Sequence, residues 1–123
     1  FESATNVPEE RVYRVRLLGV NGADPTKEFG PGVTVTRTSE GIYKFSFNDN
    51  PGTFIGIGGW ILGDTTPDDV KAKVLTRDTY TAPSGDTDGY IEVHVFDTGT
   101  LDDIEATEYI DISFVFSENS EAA

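Results

Sequence analysis

The feature that most constrains the fold is an alternation of apolar and polar residues that recurs along the chain. In VYRVRLL (12–18), Arg14 and Arg16 interrupt the apolar residues at every second position. A period of two places successive side chains on opposite faces of a β-strand, so one face is buried and the other meets solvent. Six further runs, one of them rich in glycine, predict strands at 32–38, 42–48, 53–62, 70–77, 89–96 and 109–117.

A β-hairpin is the strongest local prediction. The runs at 32–38 and 42–48 flank the turn Ser39-Glu40-Gly41, and a short turn with glycine between two alternating runs is typical of a hairpin. Polar connections rich in turn-forming residues separate the other runs. This spacing predicts an all-β fold with little helix, namely a single antiparallel β-sandwich, jelly-roll-like or barrel-like, of about seven to eight strands.

The phase of each run predicts which residues form the core. The residues that we expect on inward faces are Tyr13, Val15, Leu17, Tyr43, Phe45, Phe47, Ile91, Val93, Val95, Ile110, Ile112, Phe114 and Phe116. In the fifth run, Val70, Ala72 and Val74 share a phase. Helical signals are limited to a cap at 66–69, with proline at the first helical position, and a single turn at 101–108.

Length and composition indicate one compact domain. The chain has 123 residues, of which 37% are hydrophobic and 25% charged, and this balance is typical of globular proteins. No stretch approaches the roughly 20 apolar residues that a membrane helix needs. We divide the chain into a polar N-terminal arm (1–10), a β-sandwich domain (11–117) and a polar C-terminal tail (118–123).

The net charge of −13 is unevenly distributed along the chain. Residues 1–77 hold nine Lys and Arg against ten Asp and Glu, whereas residues 78–123 hold twelve acids and no base. Nucleic acid requires a basic stripe and an anionic membrane requires a basic surface, so the sequence argues against both partners. The absence of cysteine excludes disulfides and thiolate metal sites.

The stretch GGWILGDT (58–65) resembles the phosphate-binding P-loop GxxxxGK[ST], with Asp64 in place of the lysine. That lysine neutralises the phosphates, so an aspartate opposes nucleotide binding. No clear helix signal follows Thr65, and no βαβ pattern is present. We therefore interpret the glycines as a bend or a close backbone approach within a strand. We expect Gly58 and Gly59 in extended structure, with no helix beginning at Asp64.

The residue pattern predicts a non-enzymatic protein without catalytic residues. His94, the single histidine, alternates out of phase with the apolar residues of its strand, and no nucleophile motif such as GxSxG accompanies it. Paired carboxylates could serve a glycosidase, but the acids lie mostly in loops of a small domain without a long aromatic-lined cleft. Trp60 stands in an apolar run, and we expect it in the core rather than in a sugar-binding platform.

Calcium is the one cofactor that the sequence leaves open. The DTDG stretch at 86–89, with Asp86 and Asp88 as its acids, resembles part of a D-x-[DN]-x-[DN]-G calcium loop. Asp102 and Asp103 form a second carboxylate cluster. The full EF-hand spacing is missing, and solvated acidic loops are the competing interpretation.

Three stretches, in order along the chain, resemble small proteins encoded among the structural genes of tailed bacteriophages. They are VYRVRLLGV (12–20), FGPGVTVTRTSEGIYKFSF (29–47) and ISFVFSENS (112–120). In those proteins a polar leader precedes a strand like the first stretch, and a glycine-led V-T-V-T-R strand turns into the next. A hydrophobic strand with a polar Asn-Ser tail ends the chain. The acidic second half and the stretch 53–69 resemble them less.

The resemblance implies a virion component on the capsid exterior, of head-decoration (cement) or head-fibre type, and it transfers no catalytic residues. We expect a homo-oligomer, with a trimer as one candidate, that binds the major capsid protein and stabilises the assembled shell. The alternative is a secreted or cell-surface binding module, either a calcium-supported adhesin or a carbohydrate-binding domain. The interaction candidates are Phe1, Glu2 and Val7 in the N-terminal arm, Arg14 and Arg16 on the first strand, and Trp60.

Overall fold

A computed structural model describes residues 10–20, 22–49, 52–62, 73–105 and 108–117. These residues form nine strands and no helix. The strands are β1 (Glu10–Leu18), β2 (Thr26–Phe29), β3 (Val33–Ser39), β4 (Ile42–Phe47), β5 (Thr53–Leu62), β6 (Lys73–Arg77), β7 (Gly89–Asp97), β8 (Thr100–Leu101) and β9 (Tyr109–Ser117). Each of the seven strands expected from the alternation is present.

The strands form two antiparallel sheets. The first sheet has the order β2-β1-β9-β5, and the second has the order β3-β4-β7-β6, with β8 paired to β7. The β3–β4 hairpin turns at Glu40 and Gly41, and Gly41 adopts a φ of 76° that disfavours other residues. The prediction of a single antiparallel β-sandwich is therefore confirmed.

The core lies between the two sheets and is rich in aromatic rings. All thirteen residues expected on inward faces are buried there, together with Val33 and Ile104. Phe47 and Phe114 face each other across the core, with ring centroids 5.1 Å apart, and Tyr13 meets Phe47 at 5.2 Å. Edge-to-face contacts of this kind add to the hydrophobic gain from burial, so the alternation seen in the sequence stabilises the sandwich directly.

The phase of β6 differs from the expected one. Val74 is 54% exposed, whereas Lys73 and Leu75 turn toward the interior. Lys73 can do so because its ammonium group is paired with the carboxylate of Glu108. Val70 and Ala72, which share the phase of Val74, lie outside the described residues. The inward face of β6 thus combines an apolar contact from Leu75 with a buried ion pair from Lys73, whereas the apolar pattern indicated the opposite face.

Two short strands were not predicted from the sequence. β2 lies within the loop expected at 21–32, and β8 lies within the one at 97–103. The single helical turn expected at 101–108 is absent from the described part of that segment, although the Glu108 amide donates to the Glu105 carbonyl at 2.9 Å. The cap at 66–69 lies outside the described residues. In the described ranges there is no helix with the length and apolar character needed to cross a membrane.

Candidate binding surface

The side of the first sheet that faces away from the core forms the outer face. Because side chains directly opposite each other on paired strands point the same way, they form rows across the sheet. One row runs through Phe29, Arg16, Asp111 and Trp60, and the next through Arg14, Ser113 and Gly58. Four strands that are distant in the chain thus bring two arginines and two large aromatic residues together.

An open groove of about 680 Å³ runs across these two rows. Phe29 and Trp60 line it on the edge strands, and Arg14 and Arg16 line it on β1. Gly58 lies in the lining, where an added Cβ would meet nothing within 4 Å. The absence of a side chain at this position keeps the groove open beside the indole of Trp60.

Trp60 lies on the surface, so the expectation of a core tryptophan is wrong. Its side chain is 75% exposed, the largest value among the exposed large hydrophobic residues of the described chain. The register of β5 shifts between Phe54 and Gly56, and this irregularity pairs Trp60 with the outward-facing Asp111. Ile57 and Ile61 pack against the core instead. A β-bulge therefore sets which apolar side chains of this strand are buried.

The glycine-rich stretch that resembles a P-loop is a strand in its described part. Gly58 and Gly59 are extended within β5, as expected, and Asp64 lies outside the described residues. A Cβ on Gly59 would come within 3.0 Å of Ile112 Cγ1 and 3.1 Å of the Asp111 carbonyl oxygen. Gly59 therefore permits the close backbone approach that the sequence indicated, whereas Gly58 lies over open space.

The two arginines of the outer face differ in how far they are available to bind another molecule. Arg16 forms ion pairs with Glu28 at 3.5 Å and Asp111 at 3.4 Å, and its guanidinium lies 4.5 Å from the ring centroid of Tyr109. Arg14 is exposed and has no ion-pair partner within the described ranges. Arg16 is thus held in place by its neighbours, and Arg14 can accept a carboxylate from another molecule.

His94 lies on the second sheet, away from this groove. It pairs with Ile42 and Thr76 on the neighbouring strands, and its Nε2 is 3.9 Å from Glu92 Oε1. It is half-buried, and Nε2 has no hydrogen-bond partner among the described residues. The histidine therefore does not contribute to the outer face of the first sheet.

The four acidic calcium candidates are far from equivalent. Asp86 and Asp88 are exposed around a tight turn that two hydrogen bonds close between Ser84 and Thr87. Asp102 accepts a hydrogen bond from the amide of the next residue at 3.1 Å. In the parts of the chain that the structure describes, no three His, Asp or Glu side chains are grouped so that they could hold a metal ion.

Asp103 anchors the segment after β8 to the second sheet. Arg37 Nη2 lies 2.9 Å from Asp103 Oδ2, and Oδ1 accepts hydrogen bonds from the Gly41 amide at 2.8 Å and the Tyr43 hydroxyl at 3.2 Å. The Tyr43 hydroxyl in turn accepts from the Ile104 amide at 3.1 Å. The carboxylate is thus occupied by donors of its own chain, and its role here is structural.

These contacts shift the pKa values of the network. Burial by itself would raise the pKa of Asp103, but hydrogen bonds from Arg37 and Gly41 outweigh it and lower the pKa below its usual value of 3.8. Burial is the main cause that raises the pKa of Tyr43, and the nearby Asp103 charge acts in the same direction. Both shifts favour an ionised Asp103 beside a neutral Tyr43.

Replacing Asp103 by asparagine is expected to lower the free energy of unfolding by about 2 kcal/mol at neutral pH, because charge-assisted hydrogen bonds are lost. Since the folded pKa of Asp103 is depressed, its contribution is complete above 3.8 and is lost as pH falls through the folded pKa. The difference in free energy of unfolding between wild type and Asp103→Asn should therefore become smaller below pH 3.8. Urea denaturation over a pH series measures it, and a gap that stays constant in acid would contradict the assignment.

The predicted interaction residues are only partly brought together. Arg14, Arg16 and Trp60 share the outer face. Phe1, Glu2 and Val7 lie outside the described residues, as does the C-terminal tail (118–123). Phe29, Asp111 and Ser113 also line this groove and were not predicted from the sequence. For Asp111 and Ser113 a signal was available, since both occupy the polar phase of β9. Phe29 gave no such signal because it was assigned to a loop.

The outer face combines the features of a binding surface. It presents exposed aromatic area and an available guanidinium in an open groove, and no nucleophile with an adjacent base is present among its described residues. Such a surface can bury apolar groups of a partner and pair with an acidic group. Comparisons with models of protein families, with curated proteins and with solved structures give no match for this chain.

Proposed function

We propose that this protein is a non-enzymatic decoration protein of a tailed-phage virion, which binds the major capsid protein through the outer face of its first sheet and acts as a homo-oligomer. The main support for this docking surface is Trp60, which is 75% exposed and lies beside the available Arg14 in an open groove. The resemblance of three strand stretches to phage structural proteins supports the capsid as the partner.

The composition of the outer face favours a protein partner. Tryptophan and arginine are enriched among the residues that contribute most to protein interfaces, and they act best where a well-packed partner excludes water. Phe29 is 57% exposed at the opposite side of the groove, so apolar area is available at both ends. Phe29 and Trp60 lie three strand spacings apart, roughly 14 Å, so a partner surface that covers the groove would bury part of both rings.

The electrostatics of the chain favour a partner that presents an acidic group to this face. The molecule carries a net charge of −13, and most of its surface repels other anions. No acid of the described residues forms an ion pair with Arg14, which offers its positive charge in the groove. A capsid carboxylate that reaches Arg14 would form a charge-assisted pair.

The effect of docking on the shell follows from mass action. A protein that binds the assembled shell and has no affinity for its dissociated subunits shifts the equilibrium toward the shell. No chemical step is required, which agrees with a surface built for contact. The N-terminal arm (1–10) belongs to the same proposal as a second contact with the shell.

Two substitutions test the surface. Trp60→Ala is expected to weaken binding to shells about 30-fold, because truncating a tryptophan that the partner buries costs about 2 kcal/mol. Arg14→Glu is expected to weaken it by about tenfold or more, since it reverses the charge that meets the partner. The measurement is co-sedimentation of the labelled full chain with stripped shells of the virus that encodes it.

Lys44→Glu is the matched control for the charge reversal. Lys44 lies on β4 of the second sheet, where its ammonium group is 4.2 Å from the ring centroid of Tyr90, away from the groove. Lys44→Glu should leave the affinity for shells within about threefold of wild type, provided that a melting experiment shows a folded protein. Unchanged binding of Trp60→Ala and Arg14→Glu would reject the outer face as the docking surface.

Carbohydrate binding is the second candidate, and the exposure of Trp60 favours it specifically. An exposed indole can stack on a sugar ring, and Arg14, Asp111 and Ser113 supply hydrogen-bonding groups in the same groove. A glycan array separates the two functions. A hit that Trp60→Ala abolishes would support sugar binding, and an array without hits would leave the protein partner.

A further inference from the structure

The free edge of β5 differs from the other sheet edges of the described chain. Edge strands expose unpaired amide and carbonyl groups, and proteins usually protect them with charged residues, proline or short length. β2 is four residues long and contains Lys27 and Glu28, whereas β3 contains Arg37. β6 contains a lysine and an arginine in five residues. These three edges therefore carry the usual protection.

β5 has almost none of this protection. Its ten residues, TFIGIGGWIL, contain no charged residue and no proline, and among the described strands only β9 pairs with it. The one irregularity in its pairing is the bulge between Phe54 and Gly56, so the run from Gly56 onward is a regular edge whose other side has no partner strand in the described part of the chain. Gly58, Gly59 and Trp60 are all exposed along it.

The shape of this edge complements a second copy of itself. When two β5 strands pair antiparallel about a two-fold axis normal to the sheet, both outer faces stay on the same side. A register with Gly58 opposite Gly58 then places each Trp60 opposite Gly56 of the second copy. A Cβ at either glycine would meet nothing within 4 Å, so there is room for the indole. Cross-strand packing of an aromatic ring over a glycine is a known way to stabilise sheets.

Charge also selects this edge for self-association. Two copies of a chain with a net charge of −13 repel each other, so a stable contact between them should lie where acidic residues are few. β5 is uncharged and lies in the half of the chain where bases nearly balance acids. An isologous contact of this type uses the same surface twice, so one strand supplies both the protruding ring and the space that receives it.

We infer that two copies of this chain associate through their β5 edges, which pair antiparallel and join the two first sheets into one continuous sheet. This contact rests on the proposed function, where it is the contact between copies of the homo-oligomer. The two-fold symmetry of the contact gives a dimer rather than a trimer. The outer faces of both copies lie side by side in this dimer, with Trp60 near the junction. It can be tested without a capsid, so its failure would leave the docking proposal standing.

Sedimentation velocity of the isolated full chain over a dilution series tests the dimer. Wild type is expected to sediment as a monomer–dimer equilibrium. Gly58→Lys should raise the dissociation constant by about tenfold or more, because it places two lysines opposite each other and crowds the neighbouring indole. Wild type that sediments only as a monomer up to about 100 μM, or that forms a trimer, would overturn the inference.

Val74→Lys is the matched control, since it adds the same charge to the exposed edge strand of the other sheet. The monomer–dimer dissociation constant of Val74→Lys should stay within about threefold of the wild-type value. Gly58→Val provides a second test of the same edge if a lysine at position 58 disturbs folding. Valine favours strands and has room here, so this variant should melt no lower than wild type when both are dilute enough to be monomeric, and yet dimerise more weakly at higher concentration. Equal weakening by Val74→Lys, or full dimerisation of Gly58→Val and Gly58→Lys, would contradict β5 pairing.

Discussion

Lys73→Met is expected to lower the free energy of unfolding by about 3 kcal/mol or more, because it leaves the Glu108 carboxylate buried without its counter-charge. Lys73 Nζ lies 2.6 Å from Glu108 Oε1, and the two side chains are only 4% and 8% exposed. Glu108 Oε1 also accepts a hydrogen bond from the Glu105 amide at 2.9 Å. Chemical denaturation with a linear extrapolation to water measures the loss.

A double-mutant cycle shows whether the loss belongs to the pair. Glu108→Gln should also destabilise strongly, whereas Lys73→Met combined with Glu108→Gln should recover much of the stability, since no uncompensated charge is left. Arg16→Met provides the exposed comparison, because the ion pair of Arg16 with Asp111 is 42% and 34% exposed and should contribute less than about 1 kcal/mol. Additive losses in the cycle would show that the two groups are not coupled.

Phe47→Ala is expected to destabilise the protein by about 4 kcal/mol, since it removes a fully buried ring and leaves a cavity. Phe47 has edge-to-face contacts with four rings, at centroid distances of 5.2 Å to Tyr13, 6.2 Å to Tyr80, 5.1 Å to Phe114 and 5.0 Å to Phe116. It therefore links both sheets at the centre of the core. Thermal and denaturant unfolding both report this change.

Phe29→Ala makes the same chemical change at a side chain that is 57% exposed. Phe29→Ala should lower the free energy of unfolding by less than about 1 kcal/mol, because most of the Phe29 ring is already in contact with water. Phe47→Leu should fall between the two, since leucine refills part of the cavity. A similar loss in Phe47→Ala and Phe29→Ala would contradict the assignment of Phe47 to the core.

The sequence predicted the strands whose two faces differ most in environment. β1, β4, β7 and β9 each bury one face against the opposite sheet, so their period of two is regular and their inward residues could be identified. β6 and β5 broke the pattern for physical reasons that act over long distances. The burial of Lys73 depends on Glu108, and the exposure of Trp60 depends on a bulge in the pairing with β9.

The candidate binding surface could be predicted only in part. Arg14 and Arg16 were identified because they occupy the polar phase of an alternating strand. The groove itself arises from the strand order β2-β1-β9-β5, which no local pattern encodes. Phe29 and Trp60 lie on opposite edges of that sheet and become parts of one site only through two intervening strands.

The central position of β9 has a consequence for how the protein forms in the cell. β9 lies between β1 and β5, and its pairing with β1 joins residues as distant as Glu10 and Ser117. The chain must therefore emerge from the ribosome as far as Ser117 before the first sheet can assemble. Such long-range pairing slows folding and leaves strands β1 and β5 exposed during synthesis. The aggregation risk is greatest in that interval, when β5 has no partner on either side.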